Sequence, residues 1–186
     1  YVLLERVIDL GVDLSDIDLI CDTIDEVSGK FDIDALGRKQ IRLARAIAKT
    51  SEKSALKNIH NRAHLLYENA RQQRNFDVAV RLARVVSRAA RKVENTSLQR
   101  EMDANANALE EYLVEKKKAD LATKTLQKAP RDANANSVYG QFLCLFNGDW
   151  EEGLPYLAKS GEPPYAELAT QDLEIGTSPD DRIAMA

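Results

Sequence analysis

Apolar residues in this chain recur at spacings of three and four, and no stretch alternates apolar and polar residues at period two. Such spacing gives each helix one face to bury and offers a half-buried strand nothing, which restricts the chain to an all-α fold. Composition points the same way: charged residues make up 30%, aromatics only 6%, and eight glycines with five prolines leave few interruptions for good helix formers. At 186 residues the chain suits one domain or one run of helical repeats, with enough length to bury a real core.

Cap residues and glycine or proline stops divide the chain into about eight helices. The first covers roughly 1–10, with Leu4, Val7 and Ile8 inward, and stops at Gly11. The second starts after Ser15, turns Ile17, Ile20, Ile24 and Val27 inward and stops near Gly29. A third runs about 33–49 with Leu36, Leu43 and Ile47 inward, and a Ser51 cap opens a fourth at about 52–73 carrying Leu56, Ala63, Leu66, Tyr67 and Ala70. The fifth, about 76–93, buries Phe76, Ala79, Ala83 and Val86. A long sixth leads from Asn95-Thr96 to about Lys128, with a bend expected near Lys116-Lys117-Lys118 and a stop at Pro130. Asp132 begins a seventh at about 133–147, and a short eighth follows Gly148; Pro155 should make it start late, around Glu152, or kink.

An internal repeat emerges when the turns are aligned. "LGVDLSDIDLICDTIDEV", "ARQQRNFDVAVRLARVV" and "LFNGDWEEGLPYLAKS" each hold a polar turn and a large apolar residue (Ile17, Phe76, Trp150). Ile20, Ala79 or Gly153 follows three positions later, and Ile24, Ala83 or Leu157 four beyond that. The pattern resembles the second helix of a tetratricopeptide-type pair, with Gly148, Trp150 and Gly153 in the turn-glycine, aromatic and small-contact positions. The anchors at 17, 76 and 150 stand 59 and then 74 positions apart, against about 34 in a tandem tetratricopeptide array, and Gly140 is one position out of register. The third and sixth helices account for the excess, so the unit is a helix pair plus a spacer helix. The fold expected is a right-handed α-α superhelix of tetratricopeptide-like pairs with inserted spacers, spanning 1–186 as a single domain. Within it Trp150 should be a buried knob between the seventh and eighth helices, touching Phe142, Leu143 or Phe146.

Along its whole length the chain resembles a helical domain of large uncharacterised planctomycete proteins, most specifically through "GDWEEGLPYLAKS" (148–160) and, in support, "FDVAVRLARVVSRAARK" (76–92). The resemblance implies a tetratricopeptide-like bacterial region with no assigned activity, often behind an export signal and joined to other modules, hence an exported or cell-envelope location. The matching residues Gly148, Asp149, Trp150, Gly153 and Pro155 are structural and carry no catalytic role across. The chain opens on Tyr1-Val2-Leu3-Leu4 without an initiator methionine and closes in "SPDDRIAMA", which reads as a helix just begun. Both ends read as those of a fragment of a longer multi-module protein.

Catalytic motifs are absent: there is no GxSxG, GxxxxGK or GxGxxG. Cys21 and Cys144 lie far apart among apolar neighbours and read as small buried hydrophobes rather than a disulfide or metal pair. No apolar run approaches membrane-spanning length. The nearest approach to a metal motif is "HNRAH", where His60 and His64 share a helix face with Glu68 one turn on. A zincin would carry its glutamate base where Asn61 stands, and catalytic zinc needs three protein ligands. A metal-dependent enzyme using the His60/His64 face is therefore the alternative to a non-enzymatic module, and the expectation is no cofactor and no metal. Acid pairs such as those in "DWEE" and "DLSDID" fit helix caps and first turns.

Charge is strongly segregated. Residues 1–37 hold ten acids and two bases, 38–92 hold three acids and fifteen bases, and 93–186 hold seventeen acids and nine bases, which gives the net charge of −4. Within the middle block Arg38, Arg42, Arg45 and Lys49 form one helical stripe, Arg81, Arg84, Arg88 and Arg91 another, and Lys53, Lys57, His60 and His64 a third. These stripes read as solvated outer faces, especially if acidic neighbours face them across the fold. As a binding surface, Arg38, Arg42, Arg45, Lys49, Arg81, Arg84 and Arg88 fit an acidic protein or peptide segment, or neighbouring modules of the same protein. Nucleic acid is not expected, since the total charge is negative and the block holds only Tyr67 and Phe76 for stacking.

Overall fold

A computed structural model of the protein describes residues 1–174. Among these residues there are nine α-helices, one π-helical turn and no strand. They are α1 (Val2–Leu14), α2 (Ile17–Ser28), α3 (Ala35–Lys49), α4 (Lys53–Gln72), α5 (Phe76–Lys92), α6 (Thr96–Leu126), α7 (Ala133–Gln141), α8 (Trp150–Leu157) and α9 (Pro163–Glu174). The π-helical turn, Phe142–Phe146, extends α7. The helix expected in "SPDDRIAMA" lies outside the described residues. Two compact units divide within α6, between Glu111 and Tyr112.

In the first unit each helix from α1 to α5 packs on the next, and α1 also touches α3, α3 touches α5, and α2 touches α4. Its core follows the apolar stripes: Ile17, Ile20, Ile24 and Val27 of α2, Leu43 and Ile47 of α3, and Leu56, Ala63, Tyr67 and Ala70 of α4 are all buried. Leu4, Val7, Leu36, Leu66 and Phe76 are only partly so. Most deeply embedded is α5, which leaves exposed little more than one line of polar positions. At its end the Lys92 ammonium donates to the carbonyls of Ile47 (2.6 Å) and Thr50 (2.7 Å). That contact satisfies orphan acceptors at the C-terminus of α3 and holds the ends of α3 and α5 side by side.

One turn design recurs. Ser15, Arg74, Glu94 and Gly148 adopt positive φ, at 55°, 55°, 60° and 70°. Each is followed by an Asp or Asn whose side chain accepts from the backbone N–H three residues on: Asp16 from Leu19, Asn75 from Val78, Asn95 from Leu98 and Asp149 from Glu152. In the first three, the capping residue's own N–H also reaches back five residues, to the carbonyls of Gly11, Ala70 and Ala90. A left-handed residue closes one helix and a short polar side chain opens the next.

Several boundaries differ from expectation. α1 runs through Gly11 to Leu14 and ends at left-handed Ser15. Gly11 is buried inside the helix, where a Cβ would stand 2.9 Å from Ile20 Cγ1, so it makes room for α2 and stops nothing. Ser51 does not cap α4, which has Glu52 at its N-cap position and no side-chain cap bond. α6 is continuous through Lys116-Lys117-Lys118, where Lys116–Asp120 and Lys118–Glu115 pairs lie along the helix.

In the second unit α7 packs on α8, and α8 on α9. Buried Cys144, Leu157 and Ala169 form its core cluster. α8 begins at Trp150, not around Glu152, and carries Pro155 inside it. The bond Pro155 cannot make is to the carbonyl of Glu151, an exposed residue that water can serve. Trp150 itself is 51% exposed, so its expected role as a buried knob is wrong. The reason is the tightness of the α7–α8 contact. A Cβ on Gly140 would stand 2.8 Å from Leu157 Cγ, and one on Gly153 would collide with Cys144 Sγ, leaving no slot for an indole. α9 escaped the sequence reading, although Pro163 at the first helical position is a recognised start.

Candidate interaction surface

The seven cations of the basic block separate into two groups. Arg38 donates to Glu5 and to the Tyr1 hydroxyl, Arg42 reaches both Glu5 (2.9 Å) and Asp9 (2.5 Å), and Lys49 pairs with Asp13. Those contacts form a ladder along the seam of α1 and α3, built because acids at 5, 9 and 13 recur every four residues along one face of α1, while 38, 42 and 49, four and then seven residues apart, lie along one face of α3. Arg42 and Glu5 are mostly shielded, with side chains 17% and 23% exposed, so this part of the ladder counts for more than a surface pair. Burial alone would raise the Glu5 carboxyl, yet hydrogen bonds from Tyr1 and Arg38 and the charges of Arg38 and Arg42 overcome it and hold Glu5 below the usual carboxylate range.

Arg84 is engaged as well, by Asp103 (3.3 Å), Asn107 (2.6 Å) and Glu110 (3.2 Å) of α6. Asp103 sits below the usual carboxylate range through a hydrogen bond from Ser87 and the pairing with Arg84. Beyond the seven, Lys39 pairs with Asp25 at 2.6 Å and Arg62 with Asp22 at 3.6 Å. Four of the seven stripe cations thus hold this unit's own helices together.

Arg45, Arg81 and Arg88 are different. All three are exposed, and among the described residues none has an acidic partner. Arg45 borders a hollow of about 310 Å³ on the α1 side of α3, whose wall includes Arg38 and Ile41. Arg81 borders a second, of about 270 Å³, on the α5 side, and Arg38 and Ile41 line this one too. Ile41 is 49% exposed. Sequence reasoning passed it over, though a signal was there: Ile41 lies about 200° around the helix from Leu43, off the apolar stripe and among the arginines.

His60 and His64 share a face of α4 with ring centroids 6.2 Å apart, and Tyr67 follows at 6.1 Å from His64. Both are half-buried, and both Nδ1 atoms are buried without a hydrogen-bond partner among the described residues. Burial first, and the charge of His64 second, depress the His60 pKa. Glu68 is turned to Arg71 at 3.4 Å, and the described residues hold no group of three His, Cys, Asp or Glu side chains arranged around a metal position. Both cysteines are free and buried, and burial pushes both thiols up, which suits inert packing. No helix among the described residues is long and apolar enough to cross a membrane. No protein-family model, curated protein or solved structure matches the chain.

Proposed function

We propose that this chain is a non-enzymatic helical-repeat module, a right-handed superhelix of tetratricopeptide-like pairs with spacer helices, that offers a protein-binding surface within a larger protein. The observation that carries this reading is the division of the basic block: Arg45, Arg81 and Arg88 are exposed and without an acidic partner among the described residues, while their neighbours on the same stripes are used to hold helices. A solvated face explains charge, but an exposed isoleucine set between unpaired guanidiniums is better explained by contact with another chain. The recurring turn of left-handed residue plus Asp or Asn cap supports the repeat reading, and the planctomycete domain it resembles would put such a module beside others.

The test is a fluorescence-anisotropy survey of the purified protein against acidic, neutral and basic peptides, with zinc content measured on the same sample. Saturable binding of one peptide class supports an interaction module. Failure to bind any class, or stoichiometric zinc lost on substituting His60 and His64, would overturn it.

A further inference from the structure

We infer that an acidic peptide segment in extended form docks across α3, with one carboxylate on Arg45, a second on Arg81 and an apolar side chain on Ile41 between them. This rests on the reading of the chain as an interaction module and names the chemistry of its partner. The two hollows, one toward α1 and one toward α5, share Arg38 and Ile41 of α3 as their common wall. Each contains one guanidinium with no acidic partner among the described residues, Arg45 in the first and Arg81 in the second. The carboxylates already present are committed: Glu5 to Arg38 and Arg42, and Asp34 to the N–H of Gly37 at 2.8 Å. Both hollows therefore present net positive charge with free donors in fork geometry, which is what a carboxylate takes in bidentate fashion.

The spacing argues for a peptide over a compact anion. Arg45 and Arg81 line separate hollows divided by the shared wall of Arg38 and Ile41, so a ligand that engages both guanidiniums must cross that wall, which suits an elongated chain better than a single phosphate. An extended chain advances about 3.3 Å per residue with alternate side chains on one face, so acids four positions apart share a face and span about 13 Å, with the residue midway between them on that face too. A leucine or similar residue between those acids falls on Ile41, which is 49% exposed and would gain by being covered. A nucleic-acid backbone would make no use of that aliphatic patch.

The probe is a labelled peptide of about ten residues with two glutamates four positions apart and leucine midway between them, titrated by anisotropy into the wild-type chain and variants at low and moderate salt. Arg45→Glu and Arg81→Glu should each weaken binding about tenfold or more, Ile41→Ser several-fold, and added salt should weaken the wild type, because exposed pairs are screened. Arg88→Glu is the internal control, since Arg88 is equally unpaired but lines neither hollow. Thermal unfolding of each variant should match wild type, none of these side chains having an ion-pair partner among the described residues. Equal weakening by Arg88→Glu would overturn the proposal in favour of diffuse attraction, as would tighter binding of a single-stranded oligonucleotide of equal charge. Peptide binding that survives the Arg45→Glu/Arg81→Glu double variant would overturn this site alone and leave the module reading standing. If the survey finds only another peptide class, the acidic partner is wrong while the module survives.

Discussion

The turn between α1 and α2 and the turn before α8 are built from the same parts and end in opposite ways. Both place a left-handed residue, Ser15 or Gly148, ahead of an aspartate cap, Asp16 or Asp149, and both put a large apolar residue at the first helical position. Yet Ile17 is 4% exposed and Trp150 is 51% exposed. The difference lies in how closely the flanking helices approach. Against α2, α1 contributes a single tight glycine, Gly11 facing Ile20, and Ile17 finds space beside it. Between α7 and α8 there are two, Gly140 against Leu157 and Gly153 against Cys144, and the helices close until no large residue fits. Capping geometry is a property of the backbone, whereas burial of the residue beside it depends on the distance to another helix.

The most direct way to break this comparison is to truncate both anchors. Ile17→Ala should cost about 3 kcal/mol, as is typical for a fully buried aliphatic, while Trp150→Ala should cost about 1 kcal/mol or less, as for an exposed position. Urea unfolding of the two variants measures this, and equal costs would mean that the indole is buried after all. The glycines sharpen the point at the next magnitude down. Gly153→Ala should cost about 2 kcal/mol, because its Cβ meets Cys144 Sγ and comes 3.1 Å from Leu143 Cβ. Gly148→Ala, with nothing near its Cβ, should cost only the left-handed backbone, about 1 kcal/mol.

The two regions also differ in their surroundings, since the α1–α3 seam is charged whereas α7 and α8 carry a Tyr139–Tyr156 edge-to-face pair at 4.8 Å. Arg42→Glu places a third carboxylate beside Glu5 and Asp9 and should lower stability by about 1–2 kcal/mol, most at low salt. Arg88→Glu should leave the melting temperature essentially where it is, and an equal drop would show that net charge matters more than the ladder.

The last effect is smaller and depends on pH. His60 has a depressed pKa, so the unfolded chain takes up a proton that the folded chain refuses: stability is full above the ordinary histidine value and falls as pH drops from there toward the folded value. Glu5, depressed too, stabilises the fold above the ordinary glutamate value, and that contribution is lost as pH falls from there through the folded value. Thermal melts from neutral to acid pH should therefore show a first decline, removed by His60→Gln, and a second at lower pH, reduced by Glu5→Gln. Hydrogen exchange should locate the second loss in α1 and α3 with α7 and α8 unaffected. An unchanged first decline in His60→Gln would assign it to another group.

Much of the fold was legible in the residues. Period-three and period-four spacing marked α2, α3, α4 and α5 and their buried faces, Asn95 and Asp132 announced helix starts, and the acids of "DLSDID" and "DWEE" read as caps, because both signals act over one or two turns of a single helix. Gly11, read locally as a stop, and Pro155, read as forcing a late start or a kink, misled because one makes room for a neighbouring helix and the other sits where water can serve the lost bond. The basic stripes were legible as stripes. Which of their members stay free was not, since that depends on acids more than thirty positions away on α1, and about twenty to twenty-five away on α6. The sequence by itself thus determined helix, cap and charged face, all of which follow from contacts within a few residues. Only the tertiary structure decided that Trp150 stands outside, that Arg42 is committed while Arg45 is free, and that Ile41 lies between two hollows, because each depends on the distance between helices that the chain brings together only on folding.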